Sequence, residues 1–427
     1  MLILAGVSIA TLTGENGILT RAQEAKNKTE EAVDIEKIRL AVSEAQIGEN
    51  GYQELNQNNL QEDINDQFSG RDVVVSDNGD GSFTISLDKN LYKIENNQVS
   101  ELQADLYIDN GEDLKNFRDE VNNGNTFDGK YIVLTNDILL GKDEEWIPIG
   151  VYDSSSTNPV DEINKPFKGI FDGNGHKIDN IYIDGNNRAV GLFGLIINSV
   201  IKNIGIGQNS TITGGTATGG VVGYSYNSKI NNVYNESQVI INNIYGGGVV
   251  GFSKNTDINN SYNVGNITSN NSIIGGITSQ NDGGTIKKCY NSGRILATGD
   301  QIGGITGVNS TDSKIEDCYN ISEITGRYTI GGIIGRNYSE CFNVYNVGLI
   351  YGSIEYSLGG IIGNNENGKV LNSYYLENIV TTGKENSVEG VCIKTSNELK
   401  GLSTILGNAF KADDNNINNG YPILKWQ

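Results

Sequence analysis

Six glycine doublets recur in this chain at one fixed interval: Gly219-Gly220, Gly247-Gly248, Gly275-Gly276, Gly303-Gly304, Gly331-Gly332 and Gly359-Gly360, each 28 residues after the last. A degenerate copy, Val190-Gly191-Leu192-Phe193-Gly194, precedes them. Such self-similarity means that one structural unit repeats and buries its apolar side against its neighbours. A second landmark follows each doublet, reading KINNVYN, DINNSYN, TIKKCYN, KIEDCYN, ECFNVYN and KVLNSYY. Four places before its tyrosine stands Ile230, Ile258, Ile286, Ile315, Cys341 or Val370. Just before the tyrosine stands Val233, Ser261, Cys289, Cys318, Val344 or Ser373. Small or apolar residues at matching places imply that like stacks on like. A third short β-branched run completes each unit, as in GNIT, GRIL, SEIT and GLIY.

Three short strands and their turns fill a coil of this length, so the repeat predicts a parallel β-solenoid. A stack of helical hairpins fails, because every unit carries several glycines and β-branched runs too short for helices. The doublets are expected either at corners that need positive φ or where one coil packs closely on the next. No Lys-Ser/Thr follows them, which argues against a phosphate-cradling loop. Cys289 and Cys318 fall at equivalent places in adjacent coils and read as packed thiols, because in-register parallel strands rarely allow good disulfide torsion. Cys341 replaces an isoleucine and reads as a buried hydrophobe.

Composition narrows the function classes. With 55 Gly, only 4 Pro and 21 Tyr, the chain suits stacked strands joined by tight turns. Its net charge of -21 disfavours a nucleic-acid partner. His176 is the single histidine, so neither HExxH nor a cysteine–histidine zinc spacing exists. No cofactor, metal site or catalytic residue is expected. The acidic turn Asp77-Asn78-Gly79-Asp80-Gly81 fails the calcium-loop register, because glycines occupy ligand positions.

The fold class is therefore mainly β: a parallel β-helix or solenoid with 28-residue coils, preceded by an N-terminal α-helix and a small α+β module. The expected boundaries are 1–48 for the helix, 49–105 for the module and 106–188 for a capping helix with irregular first coils. The regular repeats span 189–383 and a C-terminal cap spans 384–427. The helix is read from Arg21 to Gln46, with Ile35, Ile38, Val42 and Ala45 at helical spacing. In the module, Glu54–Phe68 reads as a helix, and Asp72–Ser76 and Ser82–Leu87 as a hairpin. A helix near Glu112–Asn122 is expected to cap the first coil. Ser396–Phe410 is expected to be helical, with Tyr421–Trp426 closing the last coil.

Two resemblances rest on these residues. The stretch from Met1 through TGENGILTRAQEAK resembles the N-terminal helix of type IV pilin-like proteins of Firmicutes. The apolar run Met1–Leu12 is too short to cross a bilayer, which takes roughly 20 residues, and the chain opens in the middle of that pattern. A leader and the first half of the apolar helix are thus expected upstream, and membrane contact only through that longer precursor. Gly191-Leu192-Phe193-Gly194, the GG[VI][VI]G series and the run Phe167 to His176 resemble proteins carrying GLUG repeats, over roughly Leu106 to Gln427. That resemblance implies a surface or secreted protein. GLUG repeats also stand beside the catalytic domain of bacterial immunoglobulin A metallopeptidases, a domain without counterpart here.

The leading reading is a non-enzymatic cell-surface or extracellular display or adhesion protein, with pilus or pseudopilus association as one form of it. Its partners would be a host or cell-wall glycan or protein, or pilus components. The tyrosine column Tyr234, Tyr262, Tyr290, Tyr319, Tyr345 and Tyr374 is the candidate ligand face, and stacked tyrosines that merely stabilise a sheet are the plainer alternative. A β-helix polysaccharide-active enzyme and an inert structural spacer stay open. The enzyme would draw on Asp172, Asp179 and Asp184 around His176, since glycoside hydrolysis needs paired carboxylates about 5–9.5 Å apart.

Overall fold

In the computed structural model, the described residues are 18–427 except 49–50, 72, 79–80, 89, 143, 154, 157, 186, 271–272, 353–356 and 382–383. The apolar run Met1–Leu12 and Gly79-Asp80 of the acidic turn lie outside them. The chain divides between Gln103 and Ala104 into two compact units.

The first unit begins with helix α1, Ile18–Ala45. Ile38, Ala41, Val42 and Ala45 recur every three or four residues and are buried, whereas the described side chains from Arg21 to Val33 are exposed or half-exposed. Helix α2, Gln57–Gln67, starts in an asparagine capping box between Asn56 and Asn59. Four antiparallel strands follow: β1 (Val73–Asp77), β2 (Phe83–Leu87), β3 (Asn90–Glu95) and β4 (Gln98–Leu102). The hairpin read from sequence is β1–β2. The second hairpin, β3–β4, turns through Asn96 and Asn97, both at positive φ, as a two-residue turn requires. Arg71 grips the buried Asp34 of α1 through two bonds of 2.7 and 3.2 Å and reaches Asp88 at 2.8 Å, fastening helix to sheet.

The second unit is the solenoid. One coil shows its plan: Tyr245–Gly247 belongs to sheet A, Val250–Lys254 to sheet B, Asp257–Asn259 with Tyr262–Asn263 to sheet C, and Ile267–Ser269 to sheet D. Every such strand pairs in parallel with its equivalent one coil on, for example Ile230 with Ile258 and Gly247 with Gly275. Each coil thus carries four strand positions rather than the three expected.

The position missing from the expectation is sheet A, a separate three-residue strand before sheet B, and sheet C is itself broken by a bulge. Ile230 and Val233 are three residues apart, yet both are fully buried. A straight strand points alternate residues to one face, so this spacing needs a bulge. Asn232 supplies it with φ 53°, as do Asn203, Asn260, Lys288, Asp317, Asn343 and Asn372 at the equivalent places. Asparagine and aspartate tolerate this left-handed conformation better than other side chains. Lysine does not, and Lys288 also breaks a chain of side-chain bonds. Asn232 donates to Asn203 Oδ1 at 2.9 Å and Asn372 to Asn343 Oδ1 at 3.2 Å, but Asn260 Oδ1, below Lys288, has no partner among the described residues. Lys288→Asn is expected to relieve the backbone and fill that acceptor, raising stability by about 1–2 kcal/mol. A higher urea midpoint at unchanged slope would show it.

Two dry columns run through the coils. One gathers Val221, Val249, Ile277, Ile305, Ile333 and Ile361 with the inward residues of sheet C. The other gathers Val239, Ile267, Ile274, Ile295, Ile302 and Ile324 between sheets A and D. A ladder of fully buried asparagines also runs from coil to coil. Asn235, Asn263, Asn291 and Asn320 each donate to the Oδ1 of the next, ending at Asn346, over 2.8–2.9 Å. Each amide also bonds a carbonyl of its own coil, as Asn263 does with Gly265 O at 2.8 Å, so little hydrogen-bonding capacity is left unused.

This ladder explains the glycine doublets. None of them has positive φ, so the expectation of left-handed corners is set aside and close packing accounts for them. A Cβ on Gly248 would lie 2.3 Å from Asn263 Cγ and 2.4 Å from Gly276 O. On Gly276 it would lie 2.0 Å from Gly304 O and 2.5 Å from Asn291 Cγ. The second glycine of the first five doublets is therefore the floor on which an asparagine amide lies, and at Gly360 the ring of Tyr375 takes that place.

Helix α3, Gly111–Asn122, places Leu114, Phe117 and Val121 on the first apolar column and closes it, close to the helix read from sequence. Tyr375, Ile379 and Val388 lie at its other limit. The C-terminal segment departs from expectation. Helix α4 covers only Ser396–Lys400, a 3-10 turn covers Gly401–Thr404, and Phe410–Lys411 pairs antiparallel with Ile423–Leu424. Nor do Tyr421–Trp426 close the last coil, because Trp426 reaches back to Lys288, whose carbonyl accepts its indole N–H at 3.1 Å.

Candidate functional site

The tyrosine column occupies the outer side of sheet C, immediately after the bulge. Tyr234, Tyr262, Tyr290, Tyr319, Tyr345 and Tyr374 are in parallel register from coil to coil. Rings from Tyr234 to Tyr345 stack with centroids 4.9–5.1 Å apart and planes within 3–8°. Tyr262, Tyr290 and Tyr319 thus have a tyrosine ring against each face. Below Tyr234 the equivalent position is Gly205, whose Cβ would lie 2.0 Å from the phenol ring, so Tyr234 rests on bare backbone.

The segment from Ser396 to Gln427 lies across this column as a strap. Leu399, Leu402, Leu406, Phe410 and Leu424 bury themselves with Tyr319 and Tyr345. Trp426 stacks beside Tyr262 and Tyr290, with centroids 5.9 Å from each. Gln427 accepts from Tyr319 Oη at 2.8 Å; Tyr345 donates to Pro422 O and accepts from Asn418 at 2.7 Å. Tyr319 and Tyr345 are consequently buried, and Tyr234, Tyr262, Tyr290 and Tyr374 half-buried. Sequence reasoning placed the six tyrosines together correctly but missed their cover. Its apolar residues recur at spacings that also suit a helix, and nothing local names their target.

Burial, with repulsion from Glu236 and Asp137, pushes the Tyr234 phenol up to about 12. Burial also raises Tyr262, Tyr290, Tyr319 and Tyr345. A phenol held neutral by the fold contributes stability that is complete below the ordinary tyrosine value near 10 and is lost as pH rises through the folded values, because only the unfolded chain then releases its protons. The tyrosine contribution is expected to stay constant up to about pH 10, and the solenoid then to unfold in one step with phenolate formation. Ultraviolet absorbance and circular dichroism recorded in parallel check this; phenolate absorbance complete before the fold is lost would contradict it.

The carboxylates near His176 serve the coils. Asp172 accepts from Tyr131 Oη (2.5 Å), Asn174 N (2.8 Å) and Asn203 Nδ2 (2.9 Å), and pairs with buried Lys202 at 3.0 Å. Asp179 accepts from Asn180 N (2.8 Å) and from Asn209 N (3.0 Å) and Nδ2 (2.7 Å). Burial works against its ionisation, but these bonds outweigh it and hold the carboxyl below its usual range. Asp184 lies on sheet D, with Tyr182 Oη at 3.4 Å, and His176 Nδ1 faces Asp137 at 3.2 Å. Among the described residues, no three His, Cys, Asp or Glu side chains converge as metal ligands, and no helix is long and apolar enough to cross a membrane. Cys289, Cys318 and Cys341 are buried free thiols in the core, and Cys392 is exposed.

No protein-family model matches the sequence, and no curated protein matches it. Among solved structures, the chain is similar to one described as "a putative immunoglobulin A1 protease" from Bacteroides ovatus, with TM-score 0.50 and 20% identity over 75% of this chain and 92% of that one. Another, an IgA1 protease, gives TM-score 0.33 and 15% identity over 78% of this chain and 27% of that one. At 20% identity the Bacteroides likeness is one of fold, the parallel β-solenoid.

Proposed function

We propose that this chain is a non-enzymatic display or adhesion protein of the bacterial surface or exterior, a GLUG-repeat solenoid presented by a type IV pilin-like helix. The observation that carries the reading is the employment of its acidic residues: Asp172 and Asp179, which a polysaccharide-active enzyme would need free, are spent on hydrogen bonds within and between coils. The first unit adds support. The second half of α1 packs on a four-stranded antiparallel sheet while the described side chains of its first half are exposed or half-exposed, as a helix that inserts among other subunits would require. Its partners on this reading are a host or cell-wall glycan or protein, and pilus components.

Antibodies raised against the solenoid test the reading on the intact native bacterium. They are expected to label unbroken cells or shed material, while the purified chain releases no new reducing ends from a polysaccharide panel. Labelling only after lysis, or release of reducing ends abolished by Asp172→Asn, would overturn it.

A further inference from the structure

The outer side of sheet D differs from the other walls of the solenoid. Sheet C lies under the strap, and the outer residues Tyr224, Tyr245 and Phe252 of sheets A and B pack on one another with Tyr152 from the loop after Gly150. None of the described residues folds over sheet D in the same way. Its strands present Ile240, Thr268, Leu296 and Thr325 as one in-register column to solvent. Leu296 is 44% exposed. Beside it runs a polar column, in which Asn266 Oδ1 accepts from Arg294 N at 3.3 Å and Arg294 pairs with Glu323 one coil on at 3.0 Å.

Charge and area together choose the occupant. In a chain of net charge -21, the stretch from Ile240 to Thr325 and the polar column beside it carry one cation and one anion that neutralise each other, with Asp184 two coils beyond Ile240. A charged partner would gain nothing there and would have to shed its hydration. At strand and residue spacings the strip measures about 15 Å along the coils and about 7 Å across, far below the roughly 800 Å² per partner that a stable protein–protein interface buries. A second copy or a folded protein is therefore poorly served, whereas a single extended chain fits. Such a chain must offer an apolar flank to the Ile–Thr–Leu–Thr column and neutral hydrogen-bonding groups to the Asn–Arg–Glu column. Pyranose rings do both, with C–H faces and a rim of hydroxyls.

We infer that the outer wall of sheet D is a docking strip for an uncharged polysaccharide lying along the coils. This rests on the display reading and names the ligand class that reading leaves open.

Affinity electrophoresis of the full chain through gels containing soluble β-glucan or mannan, and co-sedimentation with cellulose and chitin, test it, with hyaluronan as anionic control. At least one neutral polymer is expected to bind, insensitive to salt, with affinity falling at least tenfold in the double variant Thr268→Asp/Leu296→Asp and in Thr325→Asp alone. These positions face solvent, and an unchanged circular dichroism spectrum verifies the fold. Binding of neutral polymer that survives both variants, binding of hyaluronan alone, or binding of no polymer would each overturn the strip. Surface labelling of cells uses no polymer, so the display reading survives or fails separately.

Discussion

Replacing Gly276 with valine is expected to destabilise the solenoid by about 3–5 kcal/mol or to prevent its folding. Overpacking a well-filled core usually costs about 1–3 kcal/mol, because side chains can shift. Here the new carbon would meet Gly304 O at 2.0 Å and Asn291 Cγ at 2.5 Å, one a backbone atom of the next coil and the other a side chain held by bonds on both sides. Neither can yield without separating two coils. Valine at Gly401, whose Cβ would meet nothing within 4 Å, is the matched control and is expected to change stability little. Urea unfolding of the two variants makes the comparison.

Asn291→Leu is expected to cost about 3–5 kcal/mol although leucine matches asparagine in size and suits an apolar interior. Asn291 accepts from Asn263 at 2.8 Å, and its two amide hydrogens are shared among Asn320 Oδ1 at 2.9 Å, Gly293 O at 3.0 Å and Ser322 Oγ at 2.7 Å. Leucine leaves those groups short of partners in a fully buried place, at about 1–3 kcal/mol for each one that water cannot reach. The loss is expected to exceed that from Asn270→Leu, because Asn270 is exposed in a bend and belongs to no such ladder. A comparable loss at both positions would mean that the inner ladder is incidental.

These two residues also show where sequence reading reaches its limit. The period and the inward columns were legible because equivalent apolar residues recur at one interval, and Cys341 could be read as a core residue from its place in the Ile315–Val370 column, where it is fully buried. The fourth strand position, sheet A, was not legible because its strand is three residues long and ends on glycine, and the bulge in sheet C was not because the residue that makes it is an asparagine, which propensity assigns to a turn. The same bias hid the buried ladder, since Asn235, Asn263 and Asn291 each end a motif and look like solvent-facing turn residues. Only their recurrence at the interval of the glycines signals that the two sets meet. The strap was illegible for another reason. Its partner lies about a hundred residues away, as when Tyr319 bonds Gln427, and no local pattern encodes that distance. For the candidate ligand face, the sequence brought the tyrosines together but could not show that their faces are spent on one another.

The central claim is that residues 28 apart lie one strand spacing apart along a single stack. Spin labels at Asp184 paired in turn with Leu296, Thr325 and Tyr351, all in one register column of sheet D, measure it directly after exposed Cys392 is changed to serine. The predicted distances are about 19, 24 and 29 Å, rising by one strand spacing of roughly 4.8 Å per coil. Steps near 9 Å, the separation of packed helices, or distances that fail to rise in equal steps, would contradict the stack.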